Sequence, residues 1–462
     1  MSGGTAVVVL AAGAGTRMRS ALPKPLHPVA GLPMLEHVLR AAAGAAPERV
    51  VLVVGAETAD VATALGVADR VRTVLQPQPR GTGDAVRLAL PETGDAERIV
   101  VLYADHPLLD AGTVAGLASP RPPGVVLAVL TAKVPDAAGY GRIERDAAGR
   151  VTRIVEKKDD DDALRQGVTE VNSGMMALAG AWARHALPAL RPNARTGEVY
   201  LTDLVALAVA ERAADDAPWP VESVDGPPEL TLGVNTRAEL AAADGELRRR
   251  IRQRLMAGGV TLVGPETIFV DADVEVGPDT TLLPHTVVTA GTVVGARCVL
   301  GPHAVIARST LADDVVVRSS TVEDAVVGPG SDIGPYSHLR GGATLGTGVH
   351  LGNFVEVNRS RLGDGVKSGH FSYLGDAEIG PGANIGAGTV TANFDGVAKH
   401  PTTIGRGAFI GSDTILRAPV RVGDGARTGA GSVVTRDVPD GATAVGVPAR
   451  LVGQRTRPPS GT

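Results

Sequence analysis

A six-residue beat dominates the second half of this 462-residue chain. Val276, Leu282, Val288, Val294, Leu300 and Ile306 follow one another at that interval, as do Val327, Ile333, Leu339, Leu345, Leu351 and Val357. A third run is Ile404, Ile410, Leu416, Val422 and the less apolar Thr428. Glycine often comes next, as in Val294-Gly295, Ile333-Gly334, Ile379-Gly380, Ile385-Gly386 and Ile404-Gly405. A period of six belongs neither to a helix nor to simple strand alternation. It fits a hexapeptide β-helix, where each hexad forms one flat side of a triangular coil and its aliphatic stacks inward on the copy one coil away. The small residue after it is expected to turn the corner, where φ disfavours larger side chains. Aromatics make up only 3% of the chain, which suits a core of stacked small and branched aliphatics. Between Thr391 and Ile404 the rhythm fails, so Ala392–Thr403 is expected to leave the rigid scaffold as a loop, where function tends to sit.

The first half has another texture. The apolar runs Thr5–Leu10, Val50–Val54, Val71–Leu75, Ile99–Leu102 and Val125–Leu130 read as buried strands, with helical spacing between several of them, as over Met34–Ala43. Such alternation predicts an α/β fold with a mostly parallel sheet covered by helices, and ligands at the carboxyl ends of its strands. Arg237–Met256 reads as a helix with a sparse apolar face of Leu240, Leu247, Ile251 and Leu255, ended by Gly258–Gly259. The expected organisation is a first domain over 1–235, a linker helix over 236–258, and a β-helix with its C-terminal tail over 259–462.

Charge narrows the functions. The net charge of −5 gives no reason to expect a nucleic-acid or membrane-surface partner. The single Cys298 excludes an internal disulfide and fits a reducing compartment. No run is long enough to cross a bilayer and the start has no basic region before its short apolar stretch, so a cytoplasmic location is expected.

Chemistry enters directly after the first strand. In Leu10-Ala11-Ala12-Gly13-Ala14-Gly15-Thr16-Arg17-Met18 the glycines let backbone amides approach an anion, and a helix N-terminus is expected to follow and add positive potential. Arg17 can pair with phosphate oxygens. Lys24 comes seven residues later, one of six lysines against 39 arginines, which suggests a position that wants a compact ammonium. A lone Gly-x-Gly would be an ordinary loop; with the strand, the arginine and the lysine it reads as a phosphate site.

Leu10–Met18 with Lys24 resembles the signature of sugar-1-phosphate nucleotidyltransferases. Joined to the hexapeptide coil, it resembles the bacterial bifunctional N-acetylglucosamine-1-phosphate uridyltransferase / glucosamine-1-phosphate acetyltransferase family over nearly the whole chain. Gln76 with Gly81-Thr82-Gly83, Tyr103-Ala104-Asp105, Gly139–Ile143, Val155-Glu156-Lys157, Val171–Gly174 and Gly233-Val234-Asn235 also match. The resemblance implies a Rossmann-like nucleotidyltransferase domain followed by a left-handed parallel β-helix. It also implies that Leu10, Ala11, Ala12, Gly13, Gln76, Gly81 and Thr82 hold the uracil end of UTP, beside Tyr103 and Ala104, and that Gly141, Glu156 and Asn172 hold the sugar. Asp105 and Asn235 would bind Mg2+, with Arg17 and Lys24 stabilising charge. Ala104 stands where the family usually has glycine, and His106 has no implied role.

In the coil, the resemblance makes His370 the base for acetyl transfer from acetyl-CoA to glucosamine 1-phosphate. Arg340, Asn358, Tyr373 and Asn384 fall at the sugar-phosphate positions, and Ala387, Asn393, Phe394, Ser412 and Ala430 at the coenzyme A groove. Asn358 replaces the family's lysine, and Arg359, one place along, is expected on the opposite face of the strand. Phe394 replaces a tyrosine, Gly341 a proline, and the arginine usual near Ala444–Pro448 is missing, although Arg450 is near and Lys399 remains in the loop. The implied product is UDP-N-acetylglucosamine, made by a cytoplasmic homotrimer from UTP, N-acetylglucosamine 1-phosphate, glucosamine 1-phosphate and acetyl-CoA. A second reading keeps only nucleotidyl transfer, with the coil as a trimerising or regulatory module and a weakened or altered acetyltransferase site. A scaffold with both sites decayed is the non-enzymatic alternative.

Overall fold

The structure is a computed structural model that describes residues 4–135, 137, 140–156, 169–212 and 217–452. Gly139 and Lys157 of the quoted motifs lie outside the described residues. The chain divides into two compact units, Met1–Leu247 and Arg248–Thr462.

The first unit is built on the runs of β-branched and aliphatic residues, which form strands because two-sided burial suits them. β1 (Thr5–Ala11), the hairpin β2 (Pro28–Val29) with β3 (Leu32–Pro33), β4 (Arg49–Val54), β5 (Arg72–Leu75), β6 (Arg98–Tyr103), β7 (Leu127–Lys133), β8 (Arg142–Arg145), β9 (Val151–Val155), β10 (Glu170–Ala179) and β11 (Val221–Asp225) follow in order. The main sheet runs β11-β7-β10-β6-β1-β4-β5. β6, β1, β4 and β5 are mutually parallel, and β10 is antiparallel to both β6 and β7. Val8, Val51, Val101 and Leu127 belong to one buried cluster, and Val7, Val9, Leu52 and Val100 to another, so alternate side chains of the strands supply two cores. β1 and β6 reach the same edge, which sets the 10–18 segment beside Asp105.

The expected helix after the glycine loop does not form. Thr16–Met18 is a single 3-10 turn closed by Arg19 in the left-handed region, and the next α-helix starts only at Met34. One turn has no macrodipole to speak of, so any anion affinity there comes from amides and side-chain cations.

The helix expected over Arg237–Met256 is observed as Arg237–Ala257. Thr236 and Glu239 form a reciprocal cap at its start: the Thr236 amide donates to Glu239 Oε2 at 2.8 Å and the Glu239 amide to Thr236 Oγ1 at 3.2 Å.

The second unit is a parallel β-helix. Its short strands stack into three sheets of 12, 10 and 9 strands. Leu282 pairs with Leu300, Val288 with Ile306 and Val294 with Leu311, so the six-residue series are the inward columns. Leu300, Ile333, Leu339, Leu351, Val357, Ile410, Leu416 and Val422 are fully buried. The loop is where the rhythm predicted it. Across it Ile385 pairs with Ile410 and Thr391 with Leu416, 25 residues apart, against 18 for Leu282 and Leu300.

The glycine after the aliphatic has a different reason from the one expected. Most of these glycines lack positive φ. A Cβ on Gly295 would lie 2.7 Å from the Ala312 carbonyl carbon, and one on Gly352 only 1.9 Å from the Gly369 carbonyl oxygen. Close stacking of coils, not backbone handedness, excludes a side chain there. The left-handed conformation falls three places after the aliphatic instead, at Asp279, His285, Arg297, His303, Tyr336 and Phe354.

Candidate active sites

In the first unit, three segments distant in sequence meet at one point. The Lys24 ammonium donates to Asp105 Oδ2 at 2.5 Å and to Asn235 Oδ1 at 2.8 Å. Lys24 is carried by the 3-10 turn Lys24–Leu26, Asp105 lies two residues past the end of β6, and Asn235 precedes the helix Arg237–Ala257. Gly15 makes room for this: its φ is +64°, and a Cβ there would lie 2.6 Å from Lys24 Cβ. Asn235 is itself held, because its amide donates to Glu239 Oε2 at 2.7 Å and its Nδ2 to the Gly233 carbonyl at 3.2 Å.

Burial works to raise the Asp105 pKa, but His106, 2.8 Å away through Nδ1, and Lys24 outweigh it and hold the carboxyl well below the usual carboxylate range. His106 thus gains a structural place, bracing Oδ1 while Lys24 takes Oδ2. The amides of Gly13, Ala14 and Gly15 donate no hydrogen bond among the described residues, and Gly13 faces open space. Arg17 is exposed and has no ion-pair partner among the described residues. These are free donors on the rim, beside a cation held by two oxygens.

The rest of the rim is ordered by hydrogen bonds. The Ala104 amide donates to the Leu10 carbonyl at 3.0 Å, and Thr58 Oγ1 to the Ala11 carbonyl at 2.9 Å. A Cβ on Gly55 would lie 2.6 Å from the Ala12 carbonyl oxygen. Gln76 is buried directly after β5, with its Nε2 on the Gly81 carbonyl at 3.1 Å. Burial pushes the Tyr103 phenol up, as does nearby Glu156, while a hydrogen bond with Thr82 works against this. A shift in the β7–β10 register between Asn172 and Met176 brings Gly174, at φ +90°, against the Tyr103 ring. Pairing of Val171 with Arg142 between β10 and β8 places the Asn172 amide 2.9 Å from the Gly141 carbonyl. Glu156 accepts from Thr202 Oγ1 at 2.8 Å. Leu10–Gly13, Gln76, Gly81, Thr82, Tyr103, Asp105, Gly141, Glu156, Asn172 and Asn235 therefore border one edge of the sheet.

In the second unit the candidates fall into two groups. Pairing of Ser368 with Ile385, Ile385 with Ile410, and Phe409 with Arg427 sets His370, Ala387, Ser412 and Ala430 in one column, two places after each inward residue. Asn384 lies on the adjacent 12-stranded face, beside Lys367 and Phe409. The His370 side chain has no hydrogen bond among the described residues.

The second group lies at the edge of the 10-stranded sheet. Tyr373 pairs with Glu356, which accepts from Arg340 Nη1 at 2.8 Å. The loop is a small hairpin with a Phe394–Lys399 bridge. Asp395 caps the Val397 and Ala398 amides at 2.8 and 2.7 Å and lies 2.6 Å from His400 Nε2. Its root is tied by Asn393 Nδ2, 2.5 Å from Asp376 Oδ2 and 3.5 Å from the Tyr373 hydroxyl. Phe394 is half exposed.

Arg359 does not take the opposite face of its strand. The strand ends at Asn358, and Arg359 turns the corner at φ +47°. Its guanidinium forms a two-point pair with Asp376, Nε to Oδ1 at 2.8 Å and Nη2 to Oδ2 at 2.9 Å, and its Nη1 lies 3.3 Å from Asn358 Oδ1. Continuing the strand would have forced a charge into an aliphatic interior. Asp376, Glu239 and Thr202 carry no signal read from the sequence, although Thr236-x-x-Glu239 is a legible capping box, and Arg359 is legible but its direction is not.

The fold and these two sites define a class: a nucleoside triphosphate-dependent transferase joined to a hexapeptide-repeat transferase. Comparison with known proteins agrees. Residues 7–253 match the MobA-like NTP transferase domain, 265–364 the GMPPB C-terminal domain, and 401–436 the bacterial transferase hexapeptide of six repeats. The bifunctional protein GlmU of Methylococcus capsulatus is 45% identical over 94% of this chain and 93% of its own. Those of Stutzerimonas stutzeri and Sorangium cellulosum are 44% and 45% identical, each over 95% of this chain and over 96% and 93% of their own. The chain belongs to the GlmU family of bifunctional proteins, as the sequence resemblance implied. Among the described residues no helix is long and apolar enough to cross a membrane.

Proposed function

We propose that this chain makes UDP-N-acetylglucosamine in two steps, acetylation on the β-helix and uridylyl transfer at the sheet edge. The observation that carries the reading is the meeting of Lys24, Asp105 and Asn235 from three distant segments, beside donor-rich loop 10–18. In uridylyl transfer, a phosphate oxygen of N-acetylglucosamine 1-phosphate attacks the α-phosphorus of UTP, and pyrophosphate leaves. The chain's part is positioning and charge neutralisation, with no side-chain nucleophile. Gln76, Gly81 and Thr82 take the base; Gly141, Glu156 and Asn172 take the sugar; Arg17, Lys24 and the loop amides take the phosphates.

The donors fit magnesium. Asp105 and Asn235 present one oxygen each to a shared cationic point, and a hard cation with waters and phosphates completing its shell is bound by such a set. Asp105 and Asn235 would hold the ion, which when bound neutralises charge developing on the phosphates. Lys24 is then free for the triphosphate.

For acetyl transfer, His370 takes a proton from the amine of glucosamine 1-phosphate as that amine attacks the thioester carbonyl, and the coenzyme A thiolate leaves. Arg340, Tyr373 and Asn384 receive the sugar phosphate, and the column Ala387, Ser412, Ala430 with Asn393 and Phe394 receives coenzyme A. Small side chains down that column leave width for a nucleotide tail. Association as a homotrimer in the cytoplasm completes the reading. It is supported by the exposure of all five phenylalanines, each on the β-helix unit and not one of them in its core.

Two assays on purified protein test it. Pyrophosphate release is expected from magnesium, UTP and N-acetylglucosamine 1-phosphate, and free thiol from acetyl-CoA with glucosamine 1-phosphate. Pyrophosphate without thiol would leave nucleotidyl transfer alone; absence of both would sink the reading.

A further inference from the structure

Gln76 Nε2 does more than touch Gly81. It also donates to Asp84 Oδ2 at 3.0 Å, and both Gln76 and Asp84 are buried. An amide nitrogen carries two hydrogens, and here both face pure acceptors, a backbone carbonyl and a carboxylate. A flipped amide would set Oε1 against two acceptors in a buried place, so the orientation follows from chemistry. The carboxylate is itself held by Arg87, which pairs with Asp84 Oδ1 from the exposed end of the helix Thr82–Ala89. Gln76 Oε1 has no partner among the described residues and is not sealed from solvent.

We infer that Asp84 is a positioning residue that sets base selectivity. By taking the one Gln76 donor that the Gly81 carbonyl leaves, it turns that side chain into an acceptor only, so the edge it reads must carry an N–H. Uracil offers N3–H at its pairing edge; cytosine offers a bare N3 there and meets oxygen with a lone pair. The inference rests on the nucleotidyl-transfer reading and deepens it by naming what rejects the other pyrimidine. A buried polar reader left facing the wrong group discriminates strongly, whereas a merely apolar pocket does not.

The test compares kcat/KM for UTP and CTP in the full-length enzyme. Wild type must turn over UTP; if it uses neither nucleotide, the underlying reading fails and not this one. In Asp84→Asn the side-chain amide can face Gln76 Oε1, the Gln76 amide can turn, and the CTP:UTP ratio is expected to rise by about tenfold or more. Arg87→Gln, at the exposed end, is expected to move the ratio in the same direction by a smaller factor, and serves where Asp84→Asn does not fold. In a Gln76→Ala background Asp84→Asn should leave the ratio unmoved, since the reader is gone. Equal losses for both nucleotides with an unchanged ratio, or a ratio shift that persists without Gln76, would overturn the inference.

Discussion

The two sites are assembled in opposite ways. At the sheet edge, Lys24, Asp105 and Asn235 come from segments up to 211 residues apart and are largely buried together. On the β-helix, Arg340, Glu356, Arg359 and Asp376 meet only because successive coils stack in register, and their ion pairs are open to solvent. A buried set of charges depends on every member, because removing one leaves another unpaired. An exposed ladder is screened and forgiving.

The contrast can be broken by mutation, beginning with the largest effect. Asp105→Ala leaves the Lys24 ammonium without its carboxylate and the proposed magnesium position with one oxygen. Pyrophosphate release should fall about a thousandfold or more, while thiol release stays within about twofold. An equal fall in both activities would show that the two units do not work separately.

Next is His370→Ala, expected to cut thiol release by about a hundredfold or more and to spare pyrophosphate release. A loss in KM for glucosamine 1-phosphate alone, with kcat kept, would make His370 a binder and not the base.

Gly352→Ala probes the coil. Its Cβ would fall 1.9 Å from the Gly369 carbonyl oxygen, directly before His370. Coils cannot part without losing their ladder, so unfolding should be easier by about 2–3 kcal/mol, with acetyl transfer lost before nucleotidyl transfer. Urea titration followed by both assays checks the order.

The smallest effect is at the exposed corner. The Arg359 hydrogen bonds hold the Asp376 carboxyl below its usual range. An acid depressed in the folded state adds stability above its unfolded pKa, near about 4, and loses it as pH falls through the folded value. Arg359→Gln should raise the Asp376 pKa toward the ordinary carboxylate range by NMR titration, and change stability at neutral pH by under about 1 kcal/mol. A larger cost would mean the corner is as interdependent as the buried site.

Much of this was legible in the order of residues. The six-residue series gave away the inward columns, since a period of six has one geometrical solution, and the lapse after Thr391 marked the loop. Glycine placement was legible but its cause was not: the clash of Gly295 or Gly352 with the next coil exists only once coils are stacked. The helix expected after Gly15 stops at one turn because a first turn is costly unless further turns follow it, and the chain turns away after Met18 toward Lys24. Arg359 was misplaced because strand alternation says nothing about where a strand ends.

Local pattern alone, then, determined five strands of the sheet (β1, β4, β5, β6 and β7), the coils of the β-helix and the loop, since each depends on near neighbours and on spacing, whereas β8 to β11 went unread. Tertiary structure decided what spacing cannot carry: that Lys24 rests on Asp105 and Asn235, that His106 braces that carboxylate, and that Asp84 turns Gln76 into an acceptor. A hydrogen bond is directional and reaches about 3 Å, so partners between separate segments exist only after the backbone has brought them together.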